Sequence, residues 1–376
     1  MSTATSLNLR AILKTAVARA GMNVPARRVS GLTASADALY VAAAAQARPH
    51  EAVLFVVPGD GDLEQAVGDV AFFLAALEGL SPAAARQAVL PFPSYEVDPY
   101  RGMAPHVGVT SARARALHAL AHRTARVVIA SAAGLLPRVS APEKLVAASL
   151  ELKPGVDISP TDLAELLVDA GFTREDPADQ HGEFAVRGGI VDIFPAGEAH
   201  PVRLEFIGDT IESLRTYDPS TQRSLAAVDQ IAVVPLRDVL NDDRRATVFD
   251  YFTRARSSRI IVSEHDEVEA SALKVLEQTE RSYQQATGAA PEANGGVTAE
   301  EWDELAADAD DGDLIVERAE LKGRPSTSLG TALSNVEGRP HGFEPFVDAR
   351  HQFGDGGTVV FPRRRAGVEF VHLSTG

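Results

Sequence analysis

The chain has 376 residues, no cysteine, 45% hydrophobic residues and a formal net charge of −16. That length accommodates two or three domains. The missing cysteines exclude disulfides, thiolate catalysis and thiolate metal ligands, and the acidic balance excludes DNA binding through the overall field, leaving only a local basic patch as a route to nucleic acid.

Leu9, Ile12, Leu13, Ala16 and Val17 recur at helical spacing, with Arg10, Lys14 and Arg19 between them. This predicts a surface helix with one buried face and not a signal peptide. No apolar run reaches the ~18 residues of a membrane span, and a cytoplasmic location fits the composition.

Residues 30–45, SGLTASADALYVAAAA, set a small-residue loop ahead of a helix. A working phosphate loop reads G-x-x-x-x-G-K-[ST]: backbone N–H groups face the phosphates, the Lys neutralises them and the hydroxyl holds magnesium. Gly31 can stand as the first glycine, but Ala36, Asp37 and Ala38 occupy the Gly, Lys and Ser/Thr positions. A carboxylate at the Lys position repels a triphosphate, and Ala38 cannot ligate a metal. Gly31, Thr33, Ser35, Asp37 and Ala38 therefore read either as a degenerate nucleotide site or as a plain helix-capping loop.

AVLFVV at 52–57, the loop PGDGD and a helical pattern through Leu63, Val70, Leu74 and Leu77 predict strand, turn and helix. The two acids make PGDGD a turn and not a phosphate cradle. An apolar stub at 88–91, the Pro-rich loop PFPSYEVDPYRG, a helix over 110–122 and the strand RVVIAS at 126–131 follow. Strands alternating with helices predict a parallel sheet covered on both faces. His118 and His122 lie at i, i+4, but HALAH lacks the glutamate of H-E-x-x-H and reads as a helix face.

Near 147 the pattern changes. Ser159-Pro160 ahead of Thr161 and Asp162 signals a helix start. EFAVRGG, IVDIFPAG, PVRLEFIGD and IESLRTYD then alternate between turns rich in Gly, Pro and Asp, which predicts an antiparallel meander beside helices. RIIVS at 259–263 and a helix over 266–286 return to the first pattern. Residues 287–297 read as a linker, and Thr298 with Glu301 as a capping box ahead of an acidic helix that carries the only Trp, Trp302. DLIVE, GTVVF and VEFVHLS suggest strands of a third unit, and RRR at 363–365 a hairpin turn. The predicted domains are 1–146 and 235–290 (one α/β domain), 147–234 (an α+β insert) and 298–376 (a small, incomplete unit).

Residues 183–224, EFAVRGGIVDIFPAGEAHPVRLEFIGDTIESLRTYDPSTQRS, closely resemble the N-terminal UvrB-homology module of bacterial transcription-repair coupling factors. PFPSYEVDPY is similar to a family loop, with Tyr95 where a Trp is usual. VSGLTASADALYV falls where the relative UvrB carries its phosphate loop, and RIIVSEHDE where the family has a strand ending in an acidic pair, here Ser263 and Glu264. The resemblance implies a degenerate helicase-like, P-loop-type domain that binds no ATP. It also implies an insert that binds UvrA on a surface shared with UvrB. The segment 91–110 is too short for UvrB's DNA-binding hairpin. The family's RNA polymerase-binding and DNA translocase domains lie beyond what this sequence contains, so the chain reads as truncated before them and not as an enzyme.

Family residues implicated in the UvrA contact map onto Arg187, Arg203 and Ile207, the last at a position where an aromatic is common. Strand alternation sets Val202, Leu204 and Phe206 on one face and Arg203, Glu205 and Ile207 on the other. The second face mixes arginine, acid and apolar side chains as interfaces do. The same arginines could equally be surface residues paired across strands with Glu205 or Asp192. Expected, then, is a UvrA-recruiting module that needs no cofactor or metal and binds neither membrane nor, strongly, nucleic acid. The alternatives are a P-loop-type ATPase and a UvrB-like DNA scaffold.

Overall fold

Runs of consecutive apolar residues need burial on both faces, and here they build a parallel sheet. The computed structural model describes residues 8–22, 28–241, 243–254, 258–287 and 368–374. Six strands lie in the order Arg28–Ser30, Val368–Ser374, Ser258–Ser263, Ala52–Val57, Val127–Ser131, Val89–Phe92, and every neighbouring pair is parallel. Ala52–Val57, Val127–Ser131 and Ser258–Ser263 are buried along their whole length.

Val53, Phe55, Val57, Val127 and Ile129 share a core with Val41 and Ala45 of helix Ala34–Ala47 and with Val70, Leu74 and Leu77 of helix Asp60–Glu78. The alternate residues Leu54, Val56, Val128, Ala130 and Ile260 are buried as well. Helix His265–Thr287 packs on Ser258–Ser263 and buries Val268 and Ala272. The segment VEFVHLS, expected in a third unit, instead pairs in this sheet between Arg28–Ser30 and Ser258–Ser263. Its apolar run suits a central parallel strand as well as it suits a separate domain, and periodicity alone does not tell them apart. The acidic helix with Trp302, DLIVE, GTVVF and RRR lie outside the described residues.

By contacts the chain forms two units: Met1–Ala104 with Ala125–Arg138 and Thr247–Gly376, and Pro105–Thr124 with Val139–Ala246. The second unit holds an antiparallel meander of Glu183–Arg187, Ile190–Ile193, Val202–Ile207, Thr210–Tyr217 and Ser224–Ala227. Thr173–Arg174 pairs parallel at its edge, and Leu150–Leu152 pairs with Ile231–Val233. Helix Pro160–Asp169 starts as its sequence signals, with Ser159 Oγ accepting from Asp162 N at 3.0 Å. Its Leu163 and Leu167 pack with Phe184, Val191, Ile193, Val202, Leu204 and Ile211.

Helix Val107–Ala121 also belongs to this unit, although it precedes the change of pattern at 147. Its Ala114 enters the same core, and Arg113 Nε donates to Asp238 Oδ2 at 2.7 Å with both side chains buried. The antiparallel domain is thus assembled from two separated stretches of chain.

Candidate protein-interaction face and the loop of residues 30–38

Antiparallel register lines up the residues of the face opposite the core in two adjacent rows. One row runs Ala185, Asp192, Arg203, Arg215; the next runs Arg187, Ile190, Glu205, Ser213. Ile207 and Thr210 close the end of the sheet. Two tight hairpins meet there, Arg187-Gly-Gly-Ile190 and Ile207-Gly-Asp-Thr210, and Phe206 N donates to Gly189 O at 2.8 Å to tie one to the next strand. Gly188 has φ +61 and Gly208 φ +62, the left-handed conformation such two-residue turns require. Ile207 is 65% exposed at this tip. Glu205 accepts from Ser213 Oγ at 2.8 Å.

The two arginines converge on one buried carboxylate. Arg203 holds Asp192 through both oxygens, Nε to Oδ1 at 2.7 Å and Nη2 to Oδ2 at 2.8 Å, and also reaches Gln222 Oε1 at 3.2 Å. Arg187 Nη1 lies 3.6 Å from Asp192 Oδ2. Asp192 is 1% exposed and the Arg203 side chain 17%, so this pair sits within the domain, whereas the Arg187 side chain is 40% exposed. The Arg203 guanidinium lies over the Tyr217 ring, 4.7 Å from its centroid. Charge-assisted hydrogen bonding to Asp192 raises the Arg203 pKa, and bonding to Asp176 that of Arg187. Burial raises that of the Tyr217 phenol.

This face is less open than alternation alone implies. The segment 175–180 straps across part of it: Glu175 N donates to Phe184 O at 2.9 Å, and Tyr217 Oη donates to Ala178 O at 2.8 Å. Asp176 in the strap pairs with Arg187 through both carboxylate oxygens. Asp176, Tyr217 and Gln222 escape sequence reasoning. EDPADQ reads locally as an ordinary turn, and nothing in it says which face it will cover.

In the first unit the loop carries Gly31 and Thr33 exposed and leads into helix Ala34–Ala47, where Ser35 is exposed and Asp37 and Ala38 are buried. Gly31 has φ +80. The fold brings Asp37 and Ser263 together: Ser263 Oγ donates to Asp37 Oδ2 at 3.1 Å. The side chains at the expected Lys and magnesium-orienting positions therefore bond to each other, while Asp37 Oδ1 stays buried without a hydrogen-bond partner. Burial, reinforced by the nearby Glu264 charge, pushes the Asp37 pKa up to about 6 despite that hydrogen bond. Glu264 is half-buried, with φ +43. Glu264 thus sets a second acidic group near Asp37.

Both acids of PGDGD have local duties. Asp60 accepts from Ser94 N at 2.9 Å and Ser94 Oγ at 2.6 Å, and Asp62 accepts from Gly59 N at 3.1 Å. His118 and His122 stack at 4.3 Å between ring centroids, and burial lowers the His118 pKa to about 4. No group of three or more metal-ligating side chains occurs among the described residues. No single helix among them is long and apolar enough to cross a membrane.

Residues 150–238 match the family model of the UvrB interaction domain. The chain is 34% identical over 163 residues to the transcription-repair-coupling factor of Haemophilus influenzae, covering 43% of this chain and 14% of that protein. It is 37% identical over 170 residues to the one of Mycobacterium tuberculosis, covering 42% and 14%. It is 32% identical over 170 residues to the UvrABC system protein B of Streptococcus pneumoniae, covering 45% and 26%. The chain thus spans a small part of the length of each of these relatives. It carries a UvrB interaction domain and is related in sequence to transcription-repair-coupling factors and to UvrABC system protein B.

Proposed function

We propose that the chain is a non-catalytic interaction module of nucleotide excision repair, acting in the cytoplasm, that recruits UvrA through the outer face of its antiparallel sheet. One observation carries this reading. At one end of the matched domain an exposed guanidinium, Arg187, and a 65% exposed isoleucine, Ile207, stand on the same face. An arginine fork beside exposed apolar area is the composition of an interface hot spot, and arginine pairs bidentately with carboxylates. Arg203 supports the site from within by fixing Asp192, which in turn faces Arg187.

Asp37 and its bond to Ser263 support a helicase-like domain that has given up ATP. Magnesium-ATP is expected to leave the melting temperature unchanged, and a dose-dependent rise would restore the ATPase reading. For the recruitment face, Arg187→Ala and Ile207→Asp are expected to weaken UvrA binding at least about tenfold each, the scale of a hot-spot contact. Surface plasmon resonance with immobilised UvrA reads this directly. Wild-type affinity in both folded variants would move the interface elsewhere.

A further inference from the structure

Arg187 has two hydrogen-bonding edges; one is hydrogen-bonded to a carboxylate of its own chain, and the other faces a second carboxylate at ion-pair distance. Nη1 faces the buried Asp192 at 3.6 Å. The other edge, Nε with Nη2, donates to the two oxygens of Asp176, Nε at 3.0 Å. A planar guanidinium uses such an edge to take a carboxylate bidentately. The side chain best placed to greet an acidic partner is therefore already holding a carboxylate of its own chain.

The two acids differ in how they are held. Asp192 is 1% exposed and clamped by Arg203, whereas the Asp176 side chain is 58% exposed. The strap carrying Asp176 is fixed by other bonds, from Tyr217 Oη to Ala178 O and from Glu175 N to Phe184 O. Asp176 can leave Arg187 by rotating its side chain while the strap stays in place. Exposed ion pairs are weak because water and salt screen them, so exchanging one carboxylate for another costs little.

We propose that Asp176 is an intramolecular placeholder for an acidic side chain of the protein partner, displaced on binding, and that it lowers the affinity of the face. This rests on the recruitment reading above and identifies the partner's contribution at Arg187 as a carboxylate. Asp192 does the opposite work, since it holds Arg187 in position from the buried side.

The test measures the Kd for UvrA of the parent chain, Asp176→Ala, Arg187→Ala and the double variant, with melting curves confirming the fold. Asp176→Ala is expected to bind about two- to fivefold more tightly, the range set by an exposed ion pair. The gain should vanish when Arg187 is also alanine. Unchanged or weaker binding by Asp176→Ala would overturn the placeholder, as would a gain that survives without Arg187. A parent indifferent to Arg187→Ala would instead reject the recruitment face itself, and the placeholder with it.

Discussion

Arg187 and Arg203 are the same residue type on one face, yet their environments differ. Arg203 neutralises a buried carboxylate, and Arg187 lies half in solvent. Removing Arg203 leaves Asp192 buried with only the 3.6 Å approach of Arg187. Arg203→Ala is therefore expected to cost about 2–4 kcal/mol of stability, against less than about 1 kcal/mol for Arg187→Ala. Urea melts of the two variants compare them directly, and equal losses would contradict the division of labour. Asp37 supplies a pH-dependent counterpart. Its carboxyl has a pKa of about 6 in the folded chain against an ordinary value of 3.8. Between those values the folded state binds more protons, so stability falls as pH rises through about 6. Asp37→Asn should stabilise the chain at pH 7.5 by up to about 3 kcal/mol, with the difference vanishing near pH 4. A variant equally stabilised or destabilised at both pH values would show that Asp37 is not strained by its burial.

At the scale of elements, period-two alternation is legible in the meander. Val202 and Leu204 enter the core while Arg203 and Glu205 face away from it. The Gly188-Gly189 turn and the Ser159 cap can also be read locally, because their chemistry is complete within four residues. The strap of residues 175–180 cannot, since its position depends on the distant Tyr217. For the same reason Asp176 escapes a local reading, while Asp192, directly opposite Arg203 in register, is within reach of a cross-strand argument. Gly188, at φ +61 and with open space where a methyl group would stand, tests the hairpin. Gly188→Ala should cost about 1 kcal/mol through backbone strain alone, read by thermal unfolding. A loss of several kcal/mol would mean that the turn packs against something else.

At the scale of the whole molecule, the parallel sheet and the α+β insert follow from hydrophobic patterning, but the partition of the chain does not. The matched domain covers 150–238, whereas the physical unit also includes Pro105–Thr124. Helix Val107–Ala121 is legible as a helix. That it packs into the insert is not, because the partner of its buried Arg113, Asp238, lies 125 residues away in the chain. Arg113→Ala is expected to destabilise the chain by about 3–5 kcal/mol, the cost of an abandoned buried charge, and Arg113→Met with Asp238→Leu to recover much of it. A marginal loss on the single substitution, measured by denaturant unfolding, would indicate that the pair is dispensable to this unit.

If the outer face of the antiparallel sheet recruits UvrA, the chain and UvrB should compete for UvrA. Purified chain would be titrated onto labelled UvrA, followed by increasing UvrB, with Arg187→Ala in parallel. Expected are saturable binding by the parent, displacement by UvrB and at least about tenfold weaker binding by the variant. A folded parent that does not bind, or one that stays bound with UvrB in excess, would contradict recruitment through this face.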